Sequence, residues 1–115
     1  MKMVAGGDRR PSELLEALDG LCFYRVEDWW TYELCYKKAV RQFHKEGDAL
    51  TAEFRLGTYD AEASDLDRVH HDAAAAPADA KFVSQVYAGG EPCDVTGAPR
   101  QTEVRFGIDN MPSTL

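Results

Sequence analysis

The sequence predicts a small all-β domain, built as a sandwich or a small barrel. Short apolar and aromatic runs of strand length follow one another, turn residues separate them regularly, and one run alternates with period two. The 115 residues suffice for one small domain with a modest core, and 44% apolar content argues against a disordered chain. We expect four to six short strands.

A short helix is expected over residues 11–20, before the first strand. Ser12 is its expected N-cap, and Gly20 is a natural end. One face of the helix carries three leucines, Leu14, Leu15 and Leu18. Ten residues are too few for a stable isolated helix.

Strand character begins at Leu21 and returns along the chain. Residues 50–56 alternate apolar and polar side chains, as a half-buried strand does, and the turn at 45–48 makes them a hairpin with the preceding run. The other runs expected as strands are residues 21–25, 29–36, 38–44, 82–87, 93–96 and 102–106.

Residues 60–80 differ in kind, with several aspartates, four consecutive alanines and no aromatic residue. We expect a mobile insertion there, with transient helix at the alanines. The chain then divides into an N-terminal extension (1–20), the domain (21–106) and a frayed tail (107–115).

The formal charge of −7 argues against non-specific binding to nucleic acid or anionic lipid. No apolar run approaches the roughly 20 residues that span a bilayer, so no membrane insertion is expected. Residues 1–20 lack the apolar stretch of a secretory signal, which fits a cytosolic protein or a piece of a longer secretory one.

Catalytic motifs are missing from the sequence: it has neither a G-x-S-x-G elbow nor a glycine-rich phosphate loop. His70 and His71 would point to opposite faces of a strand, which disfavours a shared metal, and Cys93 has no C-x-x-C partner. We expect a non-enzymatic domain without metal or cofactor.

Cys22 and Cys35 flank an aromatic segment. A disulfide between them would close a small loop and contribute about 3 kcal/mol. Two buried free thiols, as in a cytosolic protein, fit the spacing equally well.

Trp29 and Trp30 are neighbours in an expected strand, so one should be buried and the other exposed as a flat platform for a sugar, a base or a partner. A core tryptophan beside a half-covered surface one is the simpler interpretation. Gln42, Arg100 and Glu103 are polar residues in strand-like runs. The planar side chains of glutamine and arginine can hydrogen-bond two neighbouring hydroxyls of a sugar. Polar residues on a solvent-exposed strand face would have the same pattern.

Two ordered motifs resemble the mannose-6-phosphate receptor homology (MRH) domain. The first comprises LCFYR from Leu21, WWTYELCY from Trp29 and VRQFH from Val40; the second is YAGGEPCDVTGAPRQTEVRF from Tyr87. The tryptophan pair and LGTYDAEA from Leu56 are most similar to the OS-nine lectins of the endoplasmic reticulum, called Yos-nine in yeast. The resemblance covers residues 20–106.

The resemblance implies a flattened β-barrel lectin of the endoplasmic-reticulum lumen. Such lectins recognise mannose-trimmed N-glycans on misfolded glycoproteins and deliver them, through a lumenal scaffold, to a membrane ubiquitin-ligase complex for degradation. By position, Trp29 and Trp30 correspond to the pair that packs on mannose, and Gln42 and Arg100 to residues that bond its hydroxyls. Cys22 and Cys35 match the first disulfide of the family, and Glu103 receives no role.

The chain departs from the family pattern after Phe106, where the family has a cysteine within two residues and then the glutamate and tyrosine of the sugar site. The expected fold is therefore a flattened barrel lacking its last strands, with an open edge. Cys93 is expected to be an unpaired thiol, and sugar binding to be weak. A non-lectin interaction module that has lost sugar binding is the alternative function.

Overall fold

The computed structural model describes residues 2–4, 10–72 and 80–109. They form one eight-stranded sheet that curls into a half-barrel, with one short helix. The strands are β1 (Lys2–Val4), β2 (Cys22–Glu27), β3 (Trp30–Cys35), β4 (Ala39–Glu46), β5 (Ala49–Asp60), β6 (His70–Asp72), β7 (Ala80–Ala88) and β8 (Thr102–Asp109). The predicted all-β, barrel-type class with an N-terminal helix is confirmed, although the strands outnumber the four to six expected.

The sheet runs in the order β1-β8-β7-β5-β4-β3-β2, and β6 adds to β7. Consecutive strands β2 to β5 form an antiparallel meander. Its turns lie at residues 28–29, 36–38 and 47–48, and each contains a residue with positive φ: Asp28, Lys37 and Gly47. The pairing of β1 with β8 is parallel, unlike the other pairings.

The disulfide that the family resemblance implies is present. Cys22 and Cys35 lie directly opposite each other in the β2–β3 pairing, with their Cα atoms 4.0 Å apart, and their sulfur atoms are bonded. The bond ties the edge strand β2 to the rest of the sheet.

The core lies between the helix and one side of the sheet, which we call the inner face. Five side chains form its centre: Leu15, Tyr36, Leu66, Val83 and Phe106. Leu34 and Val104 pack against this cluster and belong to the same face. Burial raises the pKa of Tyr36 to about 12, because the low-dielectric core disfavours the charged phenolate.

The helix is shorter than predicted, and its expected cap is wrong. The α-helix α1 covers Pro11–Leu15 and continues as a 3₁₀ turn over Glu16–Leu18. Arg10 occupies the N-cap and makes no capping bond with its side chain, while the Ser12 hydroxyl donates to the Asp67 carboxylate at 2.7 Å. This bond links the helix to the segment that carries Leu66.

The structure differs from three further expectations. Residues 94–96 form a local turn rather than a strand, and β8 continues to Asp109, flanked by β7 and β1, whereas residues 110–115 of the expected tail lie outside the described residues. In the segment 60–80, β6 pairs with β7 and Leu66 is buried, whereas the alanines at 73–76 lie outside the described residues. Among described residues, no helix is long and apolar enough to cross a membrane.

Candidate functional site

A row of three cross-strand partners crosses β3, β4 and β5. Tyr32 lies opposite Gln42, and Gln42 lies opposite Phe54. Directly paired residues project from the same side of a sheet, and alternate residues of a strand share that side. Trp30, two positions before Tyr32, therefore joins Gln42 and Phe54 on the inner face.

Phe54 is the centre of a cluster in which a second aromatic ring and a cation contact its ring. The ring of Trp30 is tilted against it at a centroid distance of 5.8 Å. The guanidinium carbon of Arg100 lies 5.0 Å from the Phe54 centroid, within cation–π range. Three of the predicted sugar-site residues, Trp30, Gln42 and Arg100, are thus grouped around one ring that the sequence interpretation did not identify.

Arg100 has unused hydrogen-bonding capacity. Its Nε is buried and has no hydrogen-bond partner among the described residues. A buried donor without a partner costs free energy, which a ligand oxygen at this position would recover. The Arg100 Nε is therefore a buried donor that the described part of the chain leaves unsatisfied.

The loop between β7 and β8 brings Arg100 to β5. The Gly90 N–H donates to the Arg100 carbonyl at 2.9 Å, and the Arg100 N–H donates to the Glu91 carbonyl at 3.1 Å. The Glu91 carboxylate also accepts from the backbone N–H of Arg55 at 2.7 Å. These bonds fasten the loop beside Phe54, so the position of Arg100 depends on the backbone of β5.

Trp29 lies in the β2–β3 turn and not on a strand, which corrects the expectation that the two tryptophans alternate along one strand. Its ring meets that of Trp30 edge-on, with 4.7 Å between centroids and an interplanar angle of 89°. It is 49% exposed. The turn therefore places both rings side by side at one end of the inner face.

His44 is a residue of this region that sequence reasoning missed. Its ring is stacked on Trp29, with 3.8 Å between centroids and 17° between planes. His44 follows Gln42 by two positions on β4 and therefore projects from the same face. The alternation within the Gln-Phe-His run could have indicated that Gln42 and His44 share a face. The turn that brings the Trp29 ring onto the His44 ring could not be predicted.

The opposite side of the sheet, the outer face, carries an ion-pair network. Arg41 bonds Glu33 at 2.7 Å and also contacts Glu53. The Arg41 hydrogen bond lowers the pKa of Glu33, and Glu33 in turn raises the pKa of Arg41. Glu103 also lies outside the cluster around Phe54, since it pairs with Arg105 at 2.5 Å on β8.

Other residues singled out in the sequence have local partners. His70 is stacked on Phe82, with 5.2 Å between ring centroids. The described part of the chain contains no group of three or more His, Cys, Asp or Glu that could hold a metal. Cys93 is a free, half-buried thiol, and hydrogen bonds from the backbone N–H groups of Thr96 and Val95 lower its pKa.

Comparison with known proteins places this arrangement in a family. Residues 20–93 match the family described as "Glucosidase II beta subunit-like protein". The chain belongs to this family. It carries a large part of the MRH domain of the OS-9 (OS-nine) family.

The curated relatives support this placement. "Protein OS-9 homolog" of Oryza sativa subsp. japonica is 43% identical over 103 residues, which cover 84% of this chain and 35% of the relative. "Protein OS-9" of Homo sapiens is 37% identical over 98 residues, covering 84% of this chain and 15% of the relative. The chain thus spans about a third or less of the length of these relatives.

A solved structure shares the fold. The "Solution structure of the MRH domain of Yos9 complexed with alpha3,alpha6-Man5" matches with a TM-score of 0.60 and 24% identity. The match covers 82% of this chain and 61% of the Yos9 chain. At this identity the likeness shows the MRH fold.

Proposed function

We infer that this domain binds mannose-trimmed N-glycans through its inner face. The observation that carries the proposal is the convergence of Trp30, Gln42 and Arg100 around Phe54, with a buried Arg100 donor left unpaired. Trp29 extends the aromatic surface at the turn. Loops and strands distant in sequence thus present apolar rings and planar polar groups together.

These residue types match the chemistry of a hexose. The C–H faces of mannose are apolar and pack on flat aromatic rings such as Trp29 and Trp30. Neighbouring hydroxyls are donors and acceptors held at fixed spacing, which suits the amide of Gln42 and the forked guanidinium of Arg100.

The relatives favour the same ligand class. The related Yos9 domain was solved in complex with the mannose glycan alpha3,alpha6-Man5. A Xenopus laevis relative that is 34% identical over 91 residues is named "Endoplasmic reticulum lectin 1". We accordingly assign the domain to glycoprotein degradation in the endoplasmic-reticulum lumen, where it would pass misfolded glycoproteins to a membrane ubiquitin-ligase complex through a lumenal scaffold.

Isothermal titration of the chain with trimmed and untrimmed mannose oligosaccharides tests the proposal. We expect selective binding of trimmed glycans and a loss of about tenfold or more in affinity for Trp30→Ala, since a buried aromatic contact of this kind contributes about 1–2 kcal/mol. Tyr24→Ala is the matched control, because Tyr24 is 61% exposed and pairs with Glu33 on the outer face. Equal affinity of the wild type and Trp30→Ala would refute the assignment.

The edge of the sheet favours a second function, that of a non-lectin interaction module. Strand β2 is an edge of the described sheet, and it exposes Tyr24 and Val26, the latter by 73%. An edge of this kind can accept a strand from a partner. Sugar binding that depends on Gln42 and Arg100 would exclude this alternative.

A further inference from the structure

Trp29 is the most exposed residue of the proposed site, yet another side chain packs against one face of its ring. The His44 ring covers one face of the indole at a centroid distance of 3.8 Å and an angle of 17°. Trp30 meets it edge-on at 89°. An exposed ring on a hairpin turn would otherwise rotate freely, so this contact determines which indole face meets the solvent.

Three further contacts hold His44 in place, two at its ring and one at its backbone. Its Nδ1 lies 2.6 Å from the Trp29 carbonyl oxygen; because a carbonyl only accepts, Nδ1 carries the proton. Its Nε2 lies 3.6 Å from the Glu46 carboxylate. The Thr51 hydroxyl donates to the His44 carbonyl at 3.2 Å, which fixes the backbone of β4 at this point.

We propose that His44 is a positioning residue that fixes the Trp29 indole, through ring stacking, in the orientation required for glycan binding. The inference rests on the proposed glycan-binding function and assigns a residue to it that is not itself a sugar ligand. Because one indole face is covered by His44, the sugar packs on the opposite face of Trp29. An indole fixed before binding loses less side-chain entropy when the glycan arrives.

Two substitutions separate stacking from polarity. Phenylalanine keeps a flat ring at this position, whereas leucine has similar apolar character without one; neither donates to the Trp29 carbonyl. We expect His44→Phe to bind mannose glycans within about twofold of the wild type and His44→Leu to lose about five- to tenfold, consistent with roughly 1 kcal/mol for a ring pair. His71→Ala, at an exposed histidine of β6, is the control.

A second measurement does not depend on sugar binding. The chain has two tryptophans, so ¹⁵N relaxation of the indole N–H groups resolves Trp29 directly. We expect a rigid Trp29 indole in the wild type and His44→Phe, with an order parameter of ~0.85, and a value below ~0.6 in His44→Leu.

The outcomes distinguish the two proposals. If His44→Leu and His44→Phe have equal affinities and equal Trp29 order parameters, the positioning role is wrong while glycan binding stands. If the wild type binds no mannose glycan, the proposed function fails, and the order parameters alone still decide whether His44 fixes Trp29. Thermal unfolding of each variant checks that the loss is not one of folding.

Discussion

The guanidinium of Arg100 lies over the ring of Phe54, with 5.0 Å between the guanidinium carbon and the ring centroid. The two residues come from different parts of the chain, the β7–β8 loop and β5. Their contact joins the two motifs that the sequence presents separately, the tryptophan-rich first half and the Cys-Asp-Val-Thr-Gly second half. The polar end of the proposed site therefore depends on how the loop is attached to the sheet.

Arg100→Lys is expected to weaken glycan binding about tenfold, because lysine has neither the planar fork nor the stacking surface of arginine. Titration calorimetry with trimmed mannose glycans measures the change. Arg55→Lys is the matched control, since Arg55 is an exposed neighbour of Phe54 on the same strand. Equal losses in both variants would show that the Phe54 contact of Arg100 does not govern binding, since both substitutions keep the positive charge.

Gly90→Ala is expected to destabilise the fold by about 1–3 kcal/mol through overpacking and to weaken binding as well. A Cβ at this position would meet the backbone of β5, 2.7 Å from the Arg55 carbonyl oxygen. Urea unfolding measures the effect. Gly47→Asn is the control, because Gly47 faces open space and asparagine tolerates positive φ. Unchanged unfolding of Gly90→Ala would contradict the close attachment of the loop.

Loss of the Cys22–Cys35 disulfide is expected to lower the free energy of unfolding by about 3 kcal/mol, as the bond closes a short loop in the unfolded chain. The sequence separation of the cysteines is 13. Denaturation of the Cys22→Ser/Cys35→Ser double variant measures this cost. Cys93→Ser, which removes a thiol outside any disulfide, should leave stability nearly unchanged. A double variant as stable as the wild type would argue against the loop-closure account.

Acid is expected to weaken the outer face of the sheet through Glu33. Its pKa is lowered in the folded state, chiefly by the Arg41 hydrogen bond. Because the pKa is lower in the folded state, the ionised Glu33 adds to the free energy of unfolding. This contribution is fully present above the ordinary pKa of 4.5 and is lost as the pH falls through the folded-state pKa. Urea midpoints measured from pH 6 to pH 3 should thus fall more steeply in the wild type than in Glu33→Gln. Glu62→Gln, at an exposed turn, should retain the wild-type slope; parallel curves for the wild type and Glu33→Gln would contradict this role.

Several elements could be predicted because their signals are local. The alternation in residues 50–56 predicted the central part of β5. The aromatic runs predicted β2, β3 and β7, with bounds that agree within a few residues. The short helix could be expected from three leucines near one another, but its cap could not. Ser12 bonds Asp67, a residue that folding alone brings to the helix, so the local capping rule was overridden.

The sequence by itself determined the all-β class through short-range periodicity and the family through ordered motifs, and the family resemblance implied the pairing of Cys22 with Cys35. Only the tertiary structure decided that Trp29 lies in a turn against His44, that Arg100 lies over Phe54, and that Leu66 joins the core. Periodicity gives the face of a strand but not its neighbours. Strand order and loop attachment arise from contacts between distant segments, and these contacts assemble the proposed glycan site.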